Sequence, residues 1–439
     1  MIGLVASFGM HFVDTIMAGR LPEKDVALAA LATGGAVWSA MLMFVLGTLM
    51  AIQPTVAQLD GASRQKEGGA AMRQAIWLAV GLGFPFFFLM TEGGALLRFF
   101  DVDSSIIVVA EEYLDAISWG APGMCLVFVF RFFSEGTGHT KPTMYIGILG
   151  IALNVPLNWI LMFGKFGLPA LGAKGCGYAT SIVIWFQVLL LLTYIRSHRH
   201  FRAFEVFSRW DWPEWKSLKE LLRIGLPIAV TIFVEGSLFV AAAILIGRLG
   251  PVPTAGHLLA INFSALVFMI PLGMSSAITT RVGNAIGRGD PAAARYAGII
   301  GLFMVLCIQC VSASVMIFVP EWIVGIYTND PEIAAVAISL LFYAAIFQFP
   351  DGIQVCSSGA LRGLKDTKMP MVYNIISYWI IGLSLGYYLT FTREFGPAGM
   401  WIGMIAGLTA GAILMGSRFF RRSTVLVNEF NALRRAPSP

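Results

Sequence analysis

The chain has 439 residues, 57% of them hydrophobic and only 13% charged, with a mean hydropathy of +0.76. Soluble domains carry about 25% charged residues, so this composition excludes a soluble enzyme or binding module and points to an all-α polytopic membrane protein. The net charge of +5 comes from basic loops and speaks to membrane orientation, not to nucleic acid.

Apolar segments fall at roughly 1–19, 28–57, 74–97, 105–133, 143–163, 175–195, 221–247, 255–280, 297–320, 333–361, 371–392 and 398–417. Most meet the length of about 20 residues that a bilayer demands, so about twelve transmembrane helices are expected. The first run begins at Met1 and ends by Gly19, short for a span, and the start is expected to lie inside the first helix. No cleavable signal peptide is expected, because no basic region and no small-residue cleavage site precede a soluble domain.

The first segment holds Asp14, one to two turns inside its outer end. The fifth holds Asn154-Val-Pro156-Leu-Asn158, whose two amides, four residues apart, share a helix face. Pro156 frees the carbonyl of Ala152. A carboxylate, two amide oxygens and a loose carbonyl are hard donors that suit a cation or a proton relay; asparagines that glue helices together in lipid are the competing explanation. The seventh segment holds Glu235 deep in apolar sequence.

The tenth segment organises the chain. It sets Asp351 inside a lipid-length run, where a charge costs about 2.5–3.5 kcal/mol on insertion scales and marks a functional site facing a protein interior or water-filled cavity. Pro350 just before it strips the carbonyl of Ile346 of its helical partner, so a broken helix lining a cavity is expected; a kinked helix with a quietly hydrogen-bonded Asp is the alternative. Phe347, one turn earlier, is a candidate cavity aromatic, and the 33 Phe and 20 Met would suit flat lipophilic cations through dispersion and cation–π contact. Asp14, Glu235 and Asp351 have no basic residue nearby in their own segments.

Other polar residues read as ordinary. The five histidines, His11, His139, His198, His200 and His257, are scattered and suggest no zinc site. Cys307 and Cys310, one helical turn apart, are expected to be packing residues and not a redox pair, and Glu135 to be a salt-bridge partner.

Lys and Arg accumulate after the even-numbered segments; only Arg20, Lys24, Arg98, Lys165, Lys174, Arg248 and Arg393 follow odd ones. Both termini are therefore expected in the cytoplasm. The longest polar connection, 196–220, is basic and carries Trp210, Trp212 and Trp215, which suits the headgroup layer. On either side of it the halves repeat. Val56-x-Gln58-x-x-Gly61 recurs as Val282-x-Asn284-x-x-Gly287, Gly19-Arg20-Leu21 as Gly247-Arg248-Leu249, Pro122 and Pro142 as Pro350 and Pro370, and Gly136-x-x-x-Thr140 as Gly363-x-x-x-Thr367. The expected organisation is two pseudo-symmetric six-helix lobes, 1–195 and 221–422, an interlobe linker at 196–220 and a cytoplasmic tail at 423–439. Transporters place their sites at the interface of such repeats.

Val13-Asp14-Thr-Ile-Met-Ala-Gly19, Val234-Glu235-Gly, Pro350-Asp351-Gly-Ile-Gln354 and the Gly359-Ala-Leu-Arg362-Gly-Leu-Lys365-Asp366 turn together closely resemble the multidrug and toxic compound extrusion (MATE) transporters, in particular the bacterial NorM-like branch. The resemblance covers essentially the whole chain. It implies a twelve-helix, two-lobe antiporter, not an enzyme, that exports lipophilic cationic drugs and dyes from the bacterial inner membrane in exchange for sodium or protons. It implies no cofactor beyond that coupling ion, and a monomer is expected. Carried over by position, Asp14 with Asn154 and Asn158 would form one cation or proton site, and Glu235 with Asp351 a second, with sodium at either. Many NorM-like proteins have a tyrosine where this chain has Phe347, and members normally begin well before the first-helix acid; both are departures.

Two rivals differ in sequence requirement. A lipid-linked oligosaccharide flippase of related fold would carry cavity arginines for pyrophosphate, whereas the basic residues here lie at segment ends. An intramembrane prenyltransferase needs paired Asp-rich motifs for magnesium, and no such pair exists.

Overall fold

Residues 10, 13–21 and 24–435 are described in the computed structural model, residues 24, 434 and 435 by backbone alone. All secondary structure among them is helical. Among the described residues ten helices are long and apolar enough to cross a bilayer, or eleven when the bent pair Ser104–Ser118 and Ala121–Gly136, which meets at 48°, is taken as one span. In order, these are the second to twelfth apolar segments. The first lies largely outside the described residues, which take up its helix at 13–18.

Two compact units result: Met1–Val56 with Arg64–Ala229, and Ala57–Ser63 with Val230–Pro439. Their border falls within the Trp215–Gly247 helix. In the first unit, glycines at 47 and 225 let backbones approach closely. A Cβ on Gly47 would lie 2.4 Å from the Ala229 Cα, and one on Gly225 would lie 2.1 Å from the Thr48 carbonyl oxygen. Small residues permit such contact in membranes, where packing and not hydrophobicity drives helix association.

The basic connection also folds onto the first unit. Arg73, on the Gln65–Thr91 helix, donates from Nε to Asp211 at 2.6 Å and from Nη1 to the Glu205 carbonyl at 2.9 Å. Gln74 Nε2 donates to the Trp212 carbonyl and Trp77 Nε1 to that of Asp211, both at 2.9 Å. The Arg73 guanidinium holds the Asp211 carboxyl below the usual carboxylate range. Trp210, Trp212 and Trp215 remain exposed, so the segment is pinned by backbone and charge while its indoles stay at the surface.

In the second unit the Pro251–Gly287 and Pro331–Gly363 helices lock through hydroxyls set against glycine. Ser275 Oγ donates to the Val355 carbonyl at 2.7 Å and Thr279 Oγ1 to the Gly359 carbonyl at 2.8 Å; Gly359 and Gly363 leave no room there for side chains. The repeated motifs meet reciprocally: a Cβ on Gly61 would strike the Asn284 carbonyl and one on Gly287 the Gln58 carbonyl, at 2.1 and 2.0 Å. On the last helix, Gly396–Arg435, glycines 399, 403, 407 and 411 recur every four residues and so line one face. Against it lies a helix containing two π-helical stretches, Ile375–Leu383 and Tyr388–Thr392. A Cβ on Gly403 would sit 2.3 Å from the Gly386 Cα, and one on Gly407 2.5 Å from the Ser377 carbonyl oxygen.

Neither proline breaks its helix, contrary to expectation. Lys141–Phe163 runs through Pro156 and Pro331–Gly363 through Pro350. Each proline deletes one hydrogen bond but leaves the flanking ladder intact. Beside Pro350, Gly352 opens space for the Gln309 side chain, whose Nε2 donates to the Gln348 carbonyl.

Candidate functional site

The first unit assembles one polar cluster. Asp14, Asn154 and Asn158 are all buried, Asp14 to 4% exposure and both asparagines to 0%. Asn158 Nδ2 donates to Asp14 Oδ1 at 2.5 Å and to Asn154 Oδ1 at 3.0 Å. The second bond follows from the four-residue spacing, which stacks the amides on one helix face. Thr180, on the Gly172–Ser197 helix, completes the set: its Oγ1 donates to Asp14 Oδ2 at 3.2 Å and receives from Asn154 Nδ2 at 3.5 Å. Both carboxylate oxygens of Asp14 are therefore engaged. Thr180 was not evident from sequence, since one threonine in an apolar helix is unremarkable; its only signal is being polar in such a run.

The second unit brings Glu235 and Asp351 within electrostatic reach of each other. Glu235 is half-buried and Asp351 is buried. The Asp351 Oδ1 atom has no hydrogen-bond partner, which is expensive in a dry interior. Phe347 is packed into the core, with ring centroids 6.1 Å from Phe239 and 5.5 Å from Trp401.

Three sequence readings need correction. Arg362, counted among the basic residues at segment ends, is 6% exposed; its Nη2 donates to Ser275 Oγ at 2.6 Å, and it lies in electrostatic reach of Glu235. Glu235 thus gains a basic neighbour from another helix, Pro331–Gly363, whose last turn holds Arg362. Cys307 and Cys310 face outward and do not pack in the interior. The histidines are not all scattered: the His139 ring centroid lies 4.1 Å from that of His200 and 5.4 Å from that of His198. The first pair of rings is tilted by 31° and the second meets edge-on at 64°, and among the described residues no three His, Cys, Asp or Glu side chains converge as metal ligands. Glu135 pairs with Arg131 at 2.8 Å, one turn back on the same helix.

A family model described as MatE matches residues 1–160 and 227–388. A probable multidrug resistance protein NorM from Xanthomonas campestris is 45% identical over 96% of this chain and 92% of its own length. The chain belongs to the MatE family. Other MatE-type relatives include the multidrug resistance protein PmpM of Pseudomonas aeruginosa, 41% identical over 99% of this chain and 92% of that protein, and NorM of Vibrio cholerae, 39% identical over 96% and 93%. Solved structures agree in fold: a MATE in the bent conformation superposes with a TM-score of 0.90 at 19% identity over 98% of this chain and 94% of the other. The eukaryotic MATE transporter AtDTX14 gives 0.85 at 20% identity, over 98% and 96%. This MatE protein is thus a multi-pass membrane protein of a transporter family.

Proposed function

We propose that the protein is a secondary active multidrug antiporter of the bacterial inner membrane, exporting lipophilic organic cations in exchange for sodium or protons by alternating access. Membership of the MatE family and the multidrug resistance names of its relatives support this reading. The observation that carries it is Asp351: a carboxylate buried in a lipid-length helix, with one oxygen unpartnered and a second acid in electrostatic reach. Such a group is stabilised by whichever cation, drug or coupling ion, reaches it. Exchange follows when only one can be held at a time.

In the proposed cycle the drug occupies the acids from the cytoplasmic side, and the coupling ion displaces it when the site faces outward. One charge moved through 100 mV supplies about 2.3 kcal/mol, equivalent to roughly a 50-fold concentration ratio. The organisation proposed is two six-helix lobes with both termini in the cytoplasm, working as a monomer. Asp14 with Asn154 and Asn158 would serve as the cation or proton site of the first lobe. A flippase reading gains little from Arg362, since that guanidinium already engages Ser275 and lies near Glu235.

Ethidium efflux from reconstituted vesicles, driven separately by sodium and pH gradients, tests the proposal. Export under either gradient, lost in Asp351→Asn and Glu235→Gln at unchanged expression, is the expected result. Undiminished export by both variants would overturn the carboxylate mechanism.

A further inference from the structure

The basic connection of the first unit presents a surface that neither polar cluster uses. Trp210, Trp212 and Trp215 are 73, 75 and 71% exposed, although an indole is a large apolar surface to leave in water. Among the described residues their indole N–H groups have no acceptor, whereas that of Trp77 donates to the Asp211 carbonyl. The exposure does not come from a loose loop. Gln74 clamps the segment from both sides, Nε2 donating to the Trp212 carbonyl at 2.9 Å and Oε1 accepting from the Glu214 N–H at 2.8 Å. The Trp77 ring meets that of Trp210 edge-on at 5.5 Å and stacks with that of Trp212 at 6.2 Å, between centroids.

These contacts set the depth of the rings. The Gln65–Thr91 helix starts in polar sequence, and Trp77 stands in the first turn of its apolar run, so the rings against it lie at the edge of the hydrocarbon. Trp215 opens the Trp215–Gly247 helix six residues before the apolar run that starts at 221, about 9 Å along the axis, which is the depth of a headgroup layer. Rings with an apolar body and a free N–H suit that layer. Charge adds selectivity. Arg209, Lys216 and Lys219 are exposed beside the rings. Asp211 is held by Arg73 at 2.6 Å, so Arg209, 3.1 Å from the same carboxylate, brings a second positive charge to it. Glu214 is the other acid of this stretch and accepts from Ser217 Oγ at 2.7 Å; an excess of positive charge remains.

We propose that Trp210, Trp212 and Trp215 with Arg209, Lys216 and Lys219 form a preorganised binding surface for anionic phospholipid of the surrounding bilayer. The indole bodies enter the upper acyl region, their N–H groups donate to ester and phosphate oxygens, and the three cations select a net negative headgroup over a zwitterionic one. Because the Gln74 clamp and the Trp77 contacts are already made, little further ordering is required when lipid binds. The inference goes beyond transport and does not depend on the coupling ion.

Tryptophan fluorescence of the full-length protein in vesicles tests this, with lipids brominated near the headgroup as quenchers: phosphatidylglycerol against phosphatidylcholine at equal mole fraction. The native protein should be quenched more by phosphatidylglycerol, and the excess should shrink as salt rises. Replacing Trp210, Trp212 and Trp215 together by Phe removes the reporters and should remove the excess, since the chain's other tryptophans lie elsewhere. Arg209→Gln or Lys216→Gln should raise the phosphatidylglycerol fraction for half-maximal quenching about fivefold each, the weight of one cation at an anionic surface, while Arg209→Lys keeps the native value. The Gln variants leave Asp211 held by Arg73 and decide the matter if the Phe variant does not fold. Equal quenching of the native protein by both lipids would overturn the proposal. So would an excess that survives in the Phe variant, one indifferent to the Gln substitutions, or one abolished by inorganic phosphate at constant ionic strength, which would assign the surface to a free anion.

Discussion

Asp14 and Asp351 are the same chemical group in the same kind of apolar run, yet their surroundings differ. Asp14 has both oxygens engaged, by Asn158 and Thr180, whereas Asp351 keeps one oxygen without any partner. A saturated carboxylate is already stabilised and gains little from a ligand. An unsaturated one stores the cost of its unmade bond and yields it to whatever binds.

The sharpest way to break this contrast is a pair of isosteric substitutions. Asp351→Asn should reduce ethidium export to the level of empty vesicles and at the same time raise the apparent melting temperature, since it removes a buried charge one of whose oxygens has no partner. Asp14→Asn should lower the melting temperature, because the amide cannot accept at both positions. Shifts of the same sign in a thermal scan would refute the distinction. Next in size, Asn158→Ala leaves Asp14 Oδ1 bare and should cost about 1–3 kcal/mol, read as a lower unfolding midpoint in detergent. Thr180→Val keeps the shape and removes the longer of the two bonds to Asp14; about 0.6 kcal/mol, the average for an interhelical hydrogen bond in a membrane protein, is expected. The smallest effect belongs to the surface. Arg73 lowers the Asp211 carboxyl below its ordinary 3.8, so the pairing is fully present above that value and is lost as pH falls through the lower one met in the folded state. Proteolysis within 203–214 should therefore accelerate only in that acid range, and Asp211→Asn should show the acid behaviour at neutral pH.

The membrane spans were legible because lipid demands long apolar runs, and the acids and asparagines stood out because such runs penalise polar atoms. What stayed hidden depended on contacts distant in sequence. Thr180 matters only because Asp14 and Asn154 reach it from two other helices. Arg362 looked like a loop residue because the apolar run stops at Leu361, whereas the helix does not. His139 meets His198 and His200 across about sixty residues, and nothing in the intervening sequence signals it. Pro350 misled in the other direction: a missing donor was read as a break, while the helix absorbed it.

The π-helical stretch Ile375–Leu383 has a consequence for how this segment can change. Each of its turns closes one residue later than an α-turn does, so the stretch carries surplus length. Deleting a single residue there would let the coil tighten into an ordinary α-helix at little cost to the backbone, but it would rotate everything on one side of the cut by about 100°. Ser377, Tyr378 and the backbone fitted to glycines 399, 403 and 407 would then lose their alignment with one another. The segment should accept many exchanges of one side chain for another and almost no change in length.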